Sequence, residues 1–204
     1  MTVRRGREPG TAGRILDVAE RLVQSRGFNG FSYADVASEL GVTKASLHYH
    51  YPGKAELGEA LITRYAARFA DALQQIDADD GDVPEKLAAY AALYADVLKE
   101  QRMCLCGMMA ADYETLPPAM RAAVVQFFND NEAWLERVLE QGASDGAVRY
   151  EGSARDEAQL IISALEGAML VARPYGDAAR FQVAAKRLLA SLASAAPANV
   201  RAAG

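Results

Sequence analysis

The chain has 204 residues, of which 51% are hydrophobic and 24% charged, so most of it is expected to fold around a core. The length exceeds the roughly 150 residues of an average domain, which favours a small module joined to a larger one. No run approaches about 18 uninterrupted apolar residues, and the first ten residues lack an apolar stretch. With only Cys104 and Cys106, two positions apart, no disulfide framework is predicted. A soluble, cytoplasmic protein is expected.

Charge is distributed unevenly along the chain. Residues 1–70 contain 10 Lys and Arg against 7 Asp and Glu, a net charge of +3, whereas residues 71–204 contain 12 against 20, a net charge of −8. Because residues 1–70 are basic and the rest of the chain is acidic, residues 1–70 are expected to contact a polyanion.

Helical periodicity runs through almost the whole sequence. Alanine occurs 41 times and no run alternates as a strand would, which predicts an all-α fold of about nine helices. The first helix is predicted over residues 11–25 and ends at Gly27. Ser32 caps a second helix that Gly41 ends, and Thr43 opens a third that Pro52 closes.

A long fourth helix, residues 54–76, is predicted to connect residues 1–53, here called the head, to a body at residues 54–196. The acidic stretch 77–82 lacks periodicity and is predicted to be a loop. Further helices are predicted near residues 84–101, 104–114, 155–172 and 177–195. Another carries Val124 to Leu139 and ends at the turn from Gly142 to Gly146. The tail at residues 197–204 is expected to be frayed.

Residues 33–51 follow the plan of a helix-turn-helix: a helix of two to three turns, a tight turn at Gly41 and a second short helix. In this motif the second helix lies in the DNA major groove. Val42, Leu47 and Tyr51 are predicted to point inward. The outward side chains are polar or aromatic, or small enough to meet a thymine methyl: Lys44, Ala45, Ser46, His48 and Tyr49. The pattern favours DNA binding over a helical hairpin in an ordinary core.

Lys54 lies at the start of the fourth helix, where the helix dipole disfavours a cation by up to about 1 kcal/mol. A DNA phosphate at this helix N-terminus would offset that unfavourable interaction, because it would bind the backbone N–H groups and the ammonium together. Glu56, two residues further on, is the alternative source of the offset.

Residues 11–60 contain a specific pattern: Gly27-Phe28, Ser32 to Ala37, Gly41 to Tyr51, Lys54 and Leu57. Over these residues the chain resembles the TetR family. The resemblance implies a homodimeric transcriptional regulator, usually a repressor, that binds a palindromic operator on double-stranded DNA until a small-molecule effector enters the body. It also implies phosphate contacts for Ser32, Tyr49, His50 and Lys54, and a groove-facing position for Thr43, Lys44, Ala45, Ser46 and His48. His48 replaces the more usual tyrosine and Phe31 the more usual threonine, so the contacts there are expected to differ.

Metal and enzyme functions are disfavoured. His48 and His50 are two residues apart on a helix and point away from each other, with no cysteine or carboxylate suitably near in the motif. No catalytic pair is indicated, so no catalytic residue, metal or cofactor is expected. The main alternative function is a helical ligand-binding or adaptor protein that never contacts DNA, and a small helical enzyme is a remote one.

The body gathers soft and aromatic side chains that suit an adaptable ligand pocket, although such stripes also fill ordinary cores. The resemblance makes a pocket the better interpretation. Its predicted lining is Tyr90, Tyr94, Met103, Cys104, Met108, Met109, Phe127, Phe128, Trp134, Glu166 and Met169. Glu166 lies in the apolar run 161–172, where a carboxylate needs a partner. That partner is expected to be a ligand, a basic group or Arg173. The alternative is that Glu166 is exposed to solvent.

Cys104 and Cys106 stand beside Arg102 at a predicted helix start, an environment that favours a reactive thiolate. The segment resembles the branch of the family that senses electrophiles through a cysteine, and Cys104 matches the sensing position. Cys106 is expected to point to a different face. The alternative is two buried, inert cysteines.

Dimerisation is predicted through the last two helices. Small residues there permit close approach of a partner helix, and leucines continue an apolar stripe: Ala164, Gly167, Ala168, Leu188, Leu189 and Leu192.

Overall fold

The computed structural model describes residues 10–192, and this part of the chain contains nine α-helices. They are α1 (Thr11–Arg26), α2 (Tyr33–Leu40), α3 (Lys44–His50), α4 (Lys54–Ala78), α5 (Val83–Lys99), α6 (Leu105–Ala111), α7 (Pro118–Ser144), α8 (Ala154–Ala172) and α9 (Ala178–Leu192). Two 3₁₀ turns lie at Tyr113–Thr115 and Arg173–Tyr175. The predicted all-α fold is confirmed. The start of the N-terminal arm, the end predicted for the last helix at 195 and the tail at 197–204 lie outside the described residues.

The loop predicted at residues 77–82 begins two residues later, so that prediction is wrong for Asp77 and Ala78. The Asp77 carboxylate accepts a hydrogen bond from the Trp134 indole at 3.0 Å and another from the Arg137 guanidinium at 2.7 Å. These distant partners stabilise a last helical turn that the local acidic sequence disfavours. The predicted helix over 104–114 is also divided, into α6 and a 3₁₀ turn.

The described residues form two compact units. The first contains residues 10–70 and 102–127, and within it α1 packs on α2, α3 and α6. The second contains residues 71–101 and 128–192, and within it α5, α8 and α9 pack on one another. The first unit therefore holds α6 together with the helix-turn-helix, whereas the sequence predicted a boundary after residue 53.

A buried carboxylate joins α1 to α4 in the first unit. Glu20 is only 6% exposed. Its carboxylate accepts hydrogen bonds from the Arg64 guanidinium at 2.7 Å and from Arg68, and Arg64 also contacts Asp17 at 2.7 Å. Because the Arg64 and Arg68 side chains are 24% and 51% exposed, breaking this pair is expected to cost less than the about 3–5 kcal/mol of a fully buried pair. The ion pair links α1 to the middle of α4.

Across residues 10–192, none of the helices has the length and apolar character that a membrane crossing requires.

Candidate functional site

The helix-turn-helix has the predicted geometry. Gly41 adopts the left-handed conformation between α2 and α3, with φ 66° and ψ 32°, which disfavours a side chain by about 1–2 kcal/mol. The Thr43 side chain then accepts a hydrogen bond from the Ser46 N–H at 3.2 Å and caps α3. Leu47 is fully buried, and it sets which face of α3 turns toward solvent.

The outer face of α3 carries the side chains that the sequence assigned to DNA. Tyr49 is 85% exposed, and the exposed set also includes Thr43, Lys44, Ala45 and His48, while Ser46 and His50 are half-buried. Val42 and Tyr51, predicted to point inward, are half-buried. The face offers an ammonium, hydroxyls, imidazoles, a phenol and a methyl group, which together suit phosphates and base edges.

Two side chains fix the end of α3. The Tyr33 hydroxyl lies 2.8 Å from the Tyr51 carbonyl oxygen and 2.6 Å from that of Gly53, and burial raises the pKa of Tyr33 to about 12. The His48 ring packs on Tyr33 with centroids 4.8 Å apart, and its Nδ1 lies 2.9 Å from the Pro52 carbonyl oxygen. Because a carbonyl oxygen only accepts, Nδ1 carries the proton. When the ring is neutral, its Nε2 then accepts hydrogen bonds.

The Lys54 ammonium has intramolecular partners. It donates a hydrogen bond to the Phe31 carbonyl oxygen at 2.6 Å and lies over the rings of Phe28 and Phe31, 4.7 and 4.4 Å from their centroids. Burial lowers the pKa of Lys54, while Asp112 and Asp35 oppose that shift. These groups offset the unfavourable position of a cation at this helix start. The phosphate contact of Lys54 stays a prediction.

Ser32 is also engaged within the head. Its hydroxyl and its backbone N–H both donate to Asp35 Oδ2, at 2.6 and 2.7 Å, and these bonds lower the pKa of the Asp35 carboxyl. The phosphate contact of Ser32 stays a prediction. It requires the Ser32 hydroxyl or N–H to release Asp35 and donate to the phosphate instead.

In the second unit, three of the predicted pocket residues, Tyr90, Tyr94 and Trp134, lie together at a buried polar group. The Tyr90 hydroxyl lies 3.1 Å from that of Tyr94 and donates to Asn131 Oδ1 at 3.3 Å, and the Trp134 ring stacks on Tyr90 at 5.6 Å. Met169 is buried, while Phe128 and Glu166 are half-buried. This group combines aromatic surface with hydroxyl and amide groups, the composition of sites for small aromatic molecules.

In the first unit, Met103, Cys104, Met109 and Phe127 are buried and Met108 is half-buried. Cys104 is the N-cap of α6, and its Sγ accepts a hydrogen bond from the Gly107 N–H at 3.4 Å. Cys104 is 2% exposed and Cys106 is 0% exposed. A reagent must therefore enter the fold to reach either thiol.

Two surface cavities of the second unit lie elsewhere. One of about 460 Å³ runs between α5 and α9, and one of about 320 Å³ lies beside the 3₁₀ turn at Arg173–Tyr175. Neither is lined by residues of the predicted pocket. Among residues 10–192, no three His, Cys, Asp or Glu side chains are grouped as a metal ion would require.

Sequence reasoning missed a set of contacts that tie α6 and the following 3₁₀ turn to the turn between α1 and α2. Asp112 Oδ2 accepts hydrogen bonds from the backbone N–H groups of Phe28 and Asn29, at 2.7 and 3.2 Å. The Asn29 amide donates to Thr115 Oγ1 at 2.8 Å. The one local indication of these contacts in the sequence was Gly27. Its φ is 83°, and a Cβ at this position would lie 3.0 Å from Asp112 Oδ2.

A capped recognition helix with a polar outer face, held rigidly on a three-helix head, defines a helix-turn-helix DNA-binding protein. The sequence profile of bacterial regulatory proteins of the tetR family matches residues 15–61, and that of the tetracyclin repressor-like C-terminal domain matches residues 83–188. The chain belongs to the TetR family and is a DNA-binding transcriptional regulator.

Three relatives illustrate the similarity. A TetR-family regulator from Agrobacterium tumefaciens is 31% identical, with a TM-score of 0.86 over 89% of this chain and 97% of that one. A TetR regulator from Legionella pneumophila is 32% identical, with a TM-score of 0.84 over 92% of this chain and all of that one. The HTH-type transcriptional repressor NemR of Escherichia coli is 24% identical over 173 residues, 81% of this chain and 85% of NemR. The crystal structure of its reduced form has a TM-score of 0.77 over 91% of this chain and 98% of that one.

Proposed function

We propose that the protein is a repressor that binds a palindromic operator as a homodimer and leaves it when a small apolar or aromatic molecule, or an electrophile, reaches the body. The observation that carries the proposal is the exposed polar and aromatic face of α3. The relative NemR is a transcriptional repressor, which supports the direction of regulation proposed here. A regulator of this kind acts on the chromosome, so we place its action in the cytoplasm.

Within the head, we assign base contacts to the exposed N-terminal part of α3 and phosphate contacts to its rim. Lys44 and His48 read bases, the latter through Nε2, which accepts from the exocyclic amine of cytosine or adenine. Tyr49, His50, Ser32 and Lys54 contact phosphates, which position the head without reading sequence.

We assign dimerisation to α8 and α9. Large apolar side chains of this region are exposed by more than half, among them Leu170 at 61%, Val171 at 63% and Val183 at 61%. A Cβ at Gly167 would meet no atom within 4 Å, so the small-residue stripe of α8 is open to a partner helix. Exposed apolar patches of this kind mark protein interfaces.

The dimer assignment is tested by Leu170→Asp, with the mass in solution measured by light scattering. Val125→Asp is the matched control, because Val125 on α7 is also an apolar residue, 45% exposed, outside α8 and α9. The wild type and Val125→Asp are expected to be dimers at micromolar concentration and Leu170→Asp a monomer. An unchanged dimer in Leu170→Asp would contradict the assignment.

For the effector, we propose two routes. An aromatic molecule binds the predicted pocket, where Tyr90 and Asn131 supply the polar contacts and Trp134 the stacking surface. An electrophile reacts with Cys104, where added bulk and polarity in a buried site disfavour the packed state.

The function is tested by a mobility shift on a duplex from the region upstream of the protein's own gene, with a scrambled duplex as competitor. The proposal expects a shift that survives the scrambled competitor. A helical adaptor protein without DNA binding would give no shift of either duplex, and that result would overturn the proposal.

A further inference from the structure

The α6 segment is hydrogen-bonded to the head at both of its ends. Before α6, the Met103 N–H donates to the Gln24 carbonyl oxygen at 3.1 Å, and Arg102 contacts Gln24 Oε1 at 3.4 Å. After α6, Asp112 and Thr115 bind the turn between α1 and α2 through Phe28 and Asn29, as described above. The helix that carries Cys104 and Met109 is therefore fastened to the head before its first turn and after its last.

The turn is shaped to accept this carboxylate. The backbone N–H groups of Phe28 and Asn29 converge on one Asp112 oxygen, a charge-assisted arrangement stronger than bonds between neutral groups. Gly27 has φ 83°, and a Cβ there would crowd the same oxygen at 3.0 Å. Thr115 is itself positioned, because its hydroxyl donates to the Asp112 carbonyl oxygen at 2.7 Å.

Lys54 at the start of α4 holds the same turn from another direction. Its ammonium is bonded to the Phe31 carbonyl oxygen and lies over the ring of Phe28. The turn thus receives one cationic anchor from α4 and one anionic anchor from the α6 segment. A change in either element reaches α1 and α2 through a few directional contacts.

We propose that Asp112, with Asn29 and Thr115, forms a latch that carries the effector signal from α6 to the head. The latch deepens the proposed function and rests on it, because its purpose is to couple the effector site to operator binding. Asp112 is a positioning residue: in the intact latch it holds the turn before α2 in the arrangement that presents α3 to DNA. A displaced α6 withdraws the carboxylate and releases the turn.

Coupling between two sites is reciprocal, so operator DNA bound to the head must in turn stabilise α6. Hydrogen exchange of the Met108 and Met109 amides measures that stabilisation in the full-length chain with and without the operator duplex. The variant is Asp112→Ala. Glu114→Ala is the matched control, because Glu114 is an exposed acidic residue of the same 3₁₀ turn and its loss changes the net charge equally.

In the wild type and Glu114→Ala, the operator is expected to slow exchange of the α6 amides at least about fivefold, the lower end of common coupling factors. In Asp112→Ala, the slowing is expected to fall below about twofold, and operator affinity to fall about tenfold relative to Glu114→Ala. Thr115→Val removes only the weaker half of the latch and is expected to give an intermediate result, which keeps the test valid should Asp112→Ala fold poorly.

Equal slowing of α6 exchange in Asp112→Ala and Glu114→Ala would overturn the latch. Absence of operator binding by the wild type would instead overturn the proposed function and, with it, the coupling. In that case hydrogen exchange of the Phe28 and Asn29 amides without DNA still tests whether Asp112 anchors the turn between α1 and α2. These amides are expected to exchange about tenfold faster in Asp112→Ala than in Glu114→Ala. Equal exchange rates would contradict the anchoring.

Discussion

Replacement of Lys54 by methionine separates the two contacts assigned to this side chain. The substitution keeps the length of the side chain but removes the ammonium that lies 2.6 Å from the Phe31 carbonyl oxygen. A hydrogen bond to a charged group contributes about 1.5–3 kcal/mol. The two ring contacts add about 0.5–1 kcal/mol each. Burial of the cation, which lowers the pKa of Lys54, opposes these contributions.

The expected net loss in the free energy of unfolding is therefore about 2 kcal/mol, or about 4–8 °C in melting temperature for a chain of this size. Urea unfolding and thermal melts measure it. If the ammonium also binds a phosphate, operator affinity falls on all sequences alike and the salt slope of log K falls by about 0.9. Lys44→Ala is the control, since it removes an exposed lysine of the same head: its stability should be unchanged and its base preference altered. An unaltered free energy of unfolding in Lys54→Met would refute the anchoring, and an unaltered slope would refute the phosphate contact.

Three further predictions concern pH, a buried charge and a thiol. Because the pKa of Tyr33 is raised to about 12 in the folded chain, the Tyr33 hydroxyl loses its proton at lower pH in the unfolded chain than in the folded one. The free energy of unfolding of the wild type is therefore expected to fall by up to about 1.4 kcal/mol per pH unit between pH 10 and 12. In Tyr33→Phe it is expected to fall less steeply. Glu20→Gln is expected to lower the free energy of unfolding by about 2 kcal/mol in urea titrations, against less than about 1 kcal/mol for Glu39→Gln, whose partner Arg21 is exposed. N-ethylmaleimide is expected to release the wild type and Cys106→Ser from the operator, but not Cys104→Ser.

Each of these has a contradicting outcome. Equal alkaline slopes in the wild type and Tyr33→Phe would remove Tyr33 as the titrating group. Equal losses for Glu20→Gln and Glu39→Gln would show that burial adds nothing to the Glu20 pair. Full release of Cys104→Ser by the maleimide would leave both cysteines as packing residues.

Local chemistry made the recognition motif predictable. The spacing of Val42, Leu47 and Tyr51 placed Leu47 on the inner face, and the glycine at position 41 marked a turn that takes a left-handed residue. These features depend on residues within a few positions of each other. The fold class and the outer face of α3 followed from them.

Contacts between distant residues were not predictable from one sequence. Asp112 binds Phe28 across 84 positions, and apart from Gly27 no residue near either of them indicates the contact. The environment of Lys54 was missed because the aromatic cage depends on Phe31, which was noted only as a departure from the family pattern. Asp77 extended α4 because Trp134 and Arg137 bind its carboxylate.

The central claim is that a dimer of this chain reads a specific operator through α3, and anisotropy titration of a labelled duplex tests it most directly. A duplex from the upstream region and a scrambled duplex of equal composition are titrated at the same salt concentration, with the stoichiometry determined at saturation. The account predicts binding of an even number of chains per operator and an affinity at least about a thousandfold higher for the upstream duplex. Equal affinity for the two duplexes, or saturation at one chain per operator, would contradict it.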